Sequence, residues 1–199
     1  MAELTVLRLS FDEAGGAVRI CVREADFDGV RRRTYTVPAD ESVRLGSPAA
    51  GEPIDEETVA ALAEQEGRMK ATEKAVSLLS YGDNSCRALC RKLRAKGYDR
   101  ETAEAAVARM LQKGYIREEE QAHRLAVACA TRKLWGRRRI VAYLAEKGYD
   151  LSLAHRVIDE AVEEGEIDFA ETAAELLSRK LDEDAPAQER RKLLYRYGY

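Results

Sequence analysis

The sequence predicts a mainly α-helical chain: tandem three-helix repeats in an elongated array, preceded by a small N-terminal β-hairpin or β-sheet extension. Three observations predict it. Three of the four prolines, Pro38, Pro48 and Pro53, precede residue 54, and the 132 residues of 54–185 contain none; proline removes a backbone donor, so its absence suits consecutive helices. Alternation of apolar and polar residues is confined to the first forty positions, where it marks strands. Within the proline-free region, Lys96-Gly97-Tyr98-Asp99 recurs as Lys147-Gly148-Tyr149-Asp150, an offset of 51. Such self-similarity marks a repeat architecture.

Taken in order, Leu4 and Val6, then Leu7, Leu9 and Phe11, alternate with polar residues, as do Val18, Ile20 and Val22 with Arg19, Cys21 and Arg23. Between them Asp12-Glu13-Ala14-Gly15-Gly16 is a turn signal, so 3–24 reads as a β-hairpin. A third strand follows over 33–37, and 46–53 (GSPAAGEP) reads as a loop or linker. Asp55 caps a short helix with Val59, Leu62 and Ala63 on one face and Glu56 and Glu57 in its first turn. These elements make up an N-terminal segment, 1–66.

The same offset relates Arg87 to Arg138, Leu89 to Ile140, Leu93 to Leu144, Ala103 to Ala154, Gly114 to Gly165 and Ile116 to Ile167. The helix after each KGYD carries one apolar stripe: Ala103, Ala106, Val107, Met110 and Leu111 in the first copy; Ala154, Val157, Ile158, Ala161 and Val162 in the second. Gly97 and Gly148 are placed as structural turns, because glycine takes the left-handed conformation that ends a helix. The first repeat, 67–117, is predicted to hold helices over 70–81, 84–96 and 100–113, and the second, 118–167, over 118–134, 136–147 and 151–164. A partial third repeat, 168–199, opens with Phe169, Ala173, Leu176 and Leu177 and reaches only the position equivalent to KGY. One such bundle buries too little surface to stand alone, so neighbouring copies are expected to stack.

The net charge of −3 conceals a strong segregation. Residues 1–67 carry 7 basic and 14 acidic side chains, 68–149 carry 19 and 9, and 150–199 carry 7 and 13. A basic middle between acidic flanks points to an anionic partner. No apolar run approaches the roughly 20 residues that span a bilayer, and the N-terminus lacks a signal-peptide pattern; the expectation is a cytoplasmic protein with no membrane partner. Cys21, Cys86, Cys90 and Cys129 form no CxxC pair, and Cys86 and Cys90 are read as small core residues. With His123 and His155 the only histidines, a zinc site lacks ligands. No phosphate loop, dinucleotide fingerprint, HExxH or GxSxG is present. No catalytic residue, cofactor or metal is therefore expected, and the chain is not read as an enzyme.

Candidate partner-facing or DNA-facing residues are the cations. Arg87, Arg91 and Arg94 form one stripe at i, i+4, i+7, and Lys92 and Lys96 widen it. In the second copy Arg132, Lys133, Arg137, Arg138 and Arg139 surround Trp135 and Gly136, inside the interval 121–145 that holds no acid. Arginine suits bidentate contact with phosphate or carboxylate. Trp135 is read as a core anchor, with a base-stacking platform as the alternative.

The order of Ser85, Leu89, Leu93, Lys96-Gly97-Tyr98 and Gly114-Tyr115-Ile116, then Gly136, Ile140, Leu144 and Lys147-Gly148, resembles the RecX family of recombination regulators over about 68–199. The resemblance implies tandem three-helix modules that bind the RecA filament on single-stranded DNA, lie in its groove and restrain strand exchange and ATP hydrolysis. It implies no catalysis by the regulator itself. It also implies a place in the regulation of DNA repair and the SOS response, weak direct DNA binding, and in some members a small N-terminal β extension; a monomer is expected because the repeats consume the apolar faces. Two other readings stay open: a stand-alone helix-turn-helix-like DNA-binding protein, and a repeat scaffold that binds only protein.

Overall fold

In the computed structural model, which describes all residues except 1–2, 13–15 and 28, the alternating N-terminal pattern forms three strands: β1 (Glu3–Phe11), β2 (Ala17–Asp26) and β3 (Gly29–Pro38). They make an antiparallel sheet in the order β1-β2-β3. The third strand is ten residues long, twice the predicted 33–37, because backbone pairing with β2 continues through Val30-Arg31-Arg32, where apolar and polar residues do not alternate. Of the predicted turn over 12–16, residues 13–15 lie outside the described residues. The predicted linker is also part of the sheet's economy of hydrogen bonds. Val6 N–H donates to the Glu52 carbonyl at 3.0 Å, Gly51 N–H to Val6 at 2.8 Å and Ile54 N–H to Leu4 at 3.0 Å. The loop thereby covers the free edge of β1.

Two helices complete this end of the chain: α1 (Ala39–Arg44), which the sequence reading did not anticipate, and α2 (Glu56–Leu79). Leu4, Val6, Val18, Ile20, Val22, Tyr35 and Val37 bury one sheet face under Ile54 and Leu62, with Val59 and Ala63 beside them. The short helix after Asp55 and the helix expected over 70–81 are a single 24-residue helix. Gly67 does not break it, since Leu62, Glu66, Ala71 and Ala75 stay buried along one side throughout. Asp55 opens it as expected, accepting the Thr58 N–H at 2.6 Å.

The remaining helices are α3 (Cys86–Ala95), α4 (Arg100–Gln112), α5 (Glu118–Lys133), α6 (Arg137–Lys147), α7 (Leu151–Glu163), α8 (Phe169–Lys180) and α9 (Ala187–Tyr197). KGYD is a complete helix-to-helix joint. Gly97 and Gly148 both have φ of +95°. Gly97 N–H donates to Arg94 and Gly148 N–H to Ala145, while Tyr149 N–H reaches back to Leu144 at 3.0 Å, closing the first helix. The aspartate starts the next helix: Asp99 accepts from Thr102 N–H at 2.8 Å, Asp150 from Ser152 N–H at 2.9 Å. Tyr197-Gly198-Tyr199 repeats the closing half, with Gly198 at φ +93° and Tyr199 N–H donating to Leu194 at 3.1 Å.

Two compact units divide the chain: Met1–Ser77 with Leu93–Ala106, and Leu78–Lys92 with Val107–Tyr199. In the second, Ala122, Ala126, Cys129 and Ala130 of α5, Ile140 and Leu144 of α6, and Ala154, Val157, Ile158 and Ala161 of α7 form one core with Tyr149 and Ile167. The last position of each predicted stripe faces solvent instead, Leu111 at 51% and Val162 at 37% exposure. Leu89 and Leu93 are fully buried, whereas Cys86 and Cys90 are only half-buried. No helix among the described residues is long and apolar enough to cross a membrane.

Candidate partner-facing surface

The start of α3 is seated on the end of α6. Ser85 Oγ donates to the Lys147 carbonyl at 2.7 Å, Arg87 Nη2 lies 3.3 Å from Asp150 Oδ2, and Arg91 Nη2 donates to the Glu146 carbonyl at 3.4 Å. A methyl group added to Gly148 would stand 2.7 Å from Ser85 Oγ and 3.1 Å from Arg87 Cβ. Glycine here therefore serves both the left-handed turn and the close approach. One period later the arrangement recurs between α6 and α9. Gly136 N–H donates to the Tyr197 carbonyl at 2.8 Å and Arg138 N–H to Gly198 at 3.1 Å. A Cβ on Gly136 would lie 2.5 Å from Gly198 O, and one on Gly198 would lie 2.5 Å from Arg139 N. In one joint a serine hydroxyl, in the other a backbone N–H, reaches the carbonyl just before the left-handed glycine.

These joints decide where the predicted cations stand. Arg87 and Arg91 lie along the first joint with their outer portions exposed, Arg87 at 68% of its side chain. Lys92 donates to Asn84 Oδ1. Arg94, Lys96 and Arg132 are exposed. Arg137 pairs with Asp159, Arg138 Nη2 donates to the Tyr199 carbonyl at 2.7 Å, and Arg139 Nη1 reaches the Arg196 carbonyl at 3.4 Å. So Arg137, Arg138 and Arg139 are engaged by other groups of the same chain at its surface, which single-sequence spacing did not reveal.

Around Trp135 the cations and rings interleave. Lys133 Nζ is 4.5 Å from the Trp135 ring centre and 4.9 Å from that of Tyr143, Arg139 is 4.3 Å from Trp135, and Arg138 is 4.6 Å from Tyr195. Trp135 meets Tyr143 edge-on at 5.4 Å. The indole packs against the core of α5, α6 and α7 and is half-buried. It is an anchor whose ring attracts the neighbouring cations, favourable by about 0.5–1 kcal/mol each at exposed sites.

Titratable chemistry is subdued. Burial, with Glu118 close by, pushes the Cys86 thiol up to about 11, and burial also raises Cys129; both remain protonated near neutrality and are weak nucleophiles. Tyr149 is pushed up to about 12 by burial and the nearby Asp83 and Glu118 carboxylates. One cluster was invisible in the sequence: His123 Nε2 lies 3.6 Å from Glu166 and 3.9 Å from Glu164, both carboxylates exposed. These positions lie some forty residues apart in the chain. Every buried side-chain nitrogen or oxygen among the described residues has a hydrogen-bond partner.

Residues 71–110, which hold most of α2's second half, α3 and α4, match the family model described as RecX, first three-helix domain. Those forty residues are similar to a RecX domain. The fold agrees: a crystal structure of regulatory protein RecX is 18% identical with a TM-score of 0.70, covering 100% of this chain and 95% of its own. A crystal structure of RecX from Lactobacillus salivarius is 17% identical with a TM-score of 0.56, covering 67% of this chain and 89% of its own. No curated protein matches the sequence. The RecX match falls on the first repeat, and it contains Arg87, Arg91, Lys92, Arg94 and Lys96, five of the predicted partner-facing cations.

Proposed function

We propose that this RecX-type chain is a non-enzymatic regulator of recombination that binds the RecA filament on single-stranded DNA and inhibits its recombinase and ATPase activity. One observation carries the reading: the segment matched to the RecX domain is where exposed arginines and lysines of α3 stand clear of the buried Leu89 and Leu93. Guanidinium groups on a helix whose apolar side is already satisfied are free to bind phosphate or carboxylate on a filament. Arg132 and Lys133 at the end of α5 extend the basic set into the second repeat. Binding that spans neighbouring filament subunits would hold them in one state, and turnover of ATP would fall without any chemistry by the regulator.

The test follows from the joints. Charge reversal at Arg94, Lys96 and Arg132 leaves the joint-forming Arg87, Arg91, Arg138 and Arg139 in place. Binding is measured to naked single strands, duplex and RecA-coated single strands across a salt series, alongside the RecA ATPase. Wild type is expected to prefer the coated filament and suppress ATPase, and the triple reversal to lose both with an unchanged helical spectrum. Equal inhibition by the variant would sink the assignment. Tight duplex binding with a steep salt slope would favour a stand-alone DNA-binding protein, and no salt-dependent binding to any DNA would favour a protein-only scaffold.

A further inference from the structure

The N-terminal segment is acidic in sum, yet its sheet has an arginine face. On the side opposite α2, beyond a first row of Glu3, Ala25 and Val30, three rows run across the strands: Thr5, Arg23 and Arg32; Arg8, Cys21 and Thr34; Ser10, Arg19 and Thr36. Four of the segment's seven basic residues stand here. The carboxylates of Asp55, Glu56, Glu57, Glu64 and Glu66 belong instead to α2 and its start, which cover the other face. No carboxylate pairs with Arg8, Arg19, Arg23 or Arg32 among the described residues, and Arg8, Arg19 and Arg32 are exposed. Arg8, Arg19 and Arg32 line a shallow depression of about 490 Å³ with Leu7, Ser10, Cys21 and Thr34.

One detail shows that folding alone does not account for this face, and a second shows how it is made. Arg23 and Arg32 are directly opposed across β2 and β3, and like charges so placed destabilise a sheet. The β1–β2 register also shifts between Val6 and Arg8. Unbroken alternation after Leu4 and Val6 would send Arg8 to the buried side; the bulge turns it outward. The same shift carries Leu9 to the core, so the bulge serves folding, whereas the opposed arginines break a local rule with no gain in the core, which marks a functional surface.

We infer that this sheet face binds the phosphate backbone of a nucleic acid. Guanidiniums and the hydroxyls of Ser10, Thr34 and Thr36 are the donor types that contact phosphate oxygens. Cross-strand neighbours stand about 4.8 Å apart, so adjacent guanidiniums can grip successive phosphates. The three rows contain no aromatic ring, so bases are not stacked or read and binding is independent of sequence. Their lack of aromatic anchors disfavours a protein partner, whose binding would need a desolvated hot spot. None of its residues is among the cations of α3 and α5 named above, and the binding requires no RecA.

Anisotropy of a labelled thymidine oligomer and of a mixed-sequence duplex, each titrated across a salt series, tests the inference with Arg8→Gln, Arg19→Gln and Arg32→Gln combined. Loss of three phosphate contacts is expected to reduce the slope of log affinity against log salt by about 2 on single strands and about 2.7 on duplex. In wild type, alkylation of Cys21, read by peptide mass spectrometry, is expected to slow when oligomer is added. That second measurement decides the matter if the triple variant fails to fold. An unchanged slope in a folded variant, or unslowed Cys21 alkylation at saturating oligomer, overturns the inference. So does binding of poly-glutamate as tight as that of an oligomer of equal charge, which would assign the face to an acidic polypeptide. Loss of naked-DNA binding with RecA inhibition intact would separate this surface from the one proposed on α3.

Discussion

Gly97 and Gly148 hold equivalent places in the repeat and the same φ of +95°, but only Gly148 has another helix seated on it. A Cβ at Gly97 would meet nothing within 4 Å. Gly97→Ala is therefore expected to cost about 1–2 kcal/mol, the strain of a left-handed alanine. Gly148→Ala adds the collision with Ser85 and Arg87, a further 1–3 kcal/mol or so from overpacking. Urea denaturation of the two variants measures the difference, and equal losses would show that the joint yields freely. The glycines were legible in the sequence because a left-handed turn is a local demand. Their second task was not, since Ser85 and Gly148 are joined only by the fold.

Among the elements, α9 is tied down by Leu193, which is buried with Leu134 and Leu176. Leu134 itself has φ of +53°, unusual for a branched residue, and its burial offsets that strain. Leu193→Ala is expected to cost about 2–3 kcal/mol and to loosen α9 from α6. Hydrogen exchange should then quicken at the amides of Gly136 and Arg138, whose acceptors lie at Tyr197 and Gly198, while α7 amides stay protected. Exchange unchanged at those two amides would mean that α9 holds without its leucine. Helix identity and the repeat period were readable from apolar spacing. The fusion of two expected helices into α2 was not, because its buried positions contact residues far off in sequence. The outward turn of Arg8 did leave a mark, the slip of phase from Leu4 and Val6 to Leu7, Leu9 and Phe11, but the β2 residues that it pairs with are set by the fold.

For the whole molecule, capping ties stability to pH. Backbone and side-chain hydrogen bonds from Thr58, Thr102 and Ser152 hold Asp55, Asp99 and Asp150 below their usual value of 3.8. A depressed carboxylate stabilises the fold fully above its unfolded pKa, and that contribution fades as pH falls through the folded value. The melting temperature is thus expected to drop as pH goes from about 5 to below 4. The drop should be shallower in the Asp99→Asn, Asp150→Asn double variant; identical curves would remove the caps from the account. Charge summed along the chain pointed rightly to a segregated molecule, but a window of sequence averages two faces of a sheet and so reported the N-terminal segment only as acidic. The two joints of the second unit add one more property. Each sets the front of one helix against the back of another, never like against like, so the contact is heterologous. A two-fold contact is used up once made, whereas this one leaves a fresh end each time. The series consequently has a direction, as a zip fastener has, and its length is set by the number of repeats encoded and not by closure.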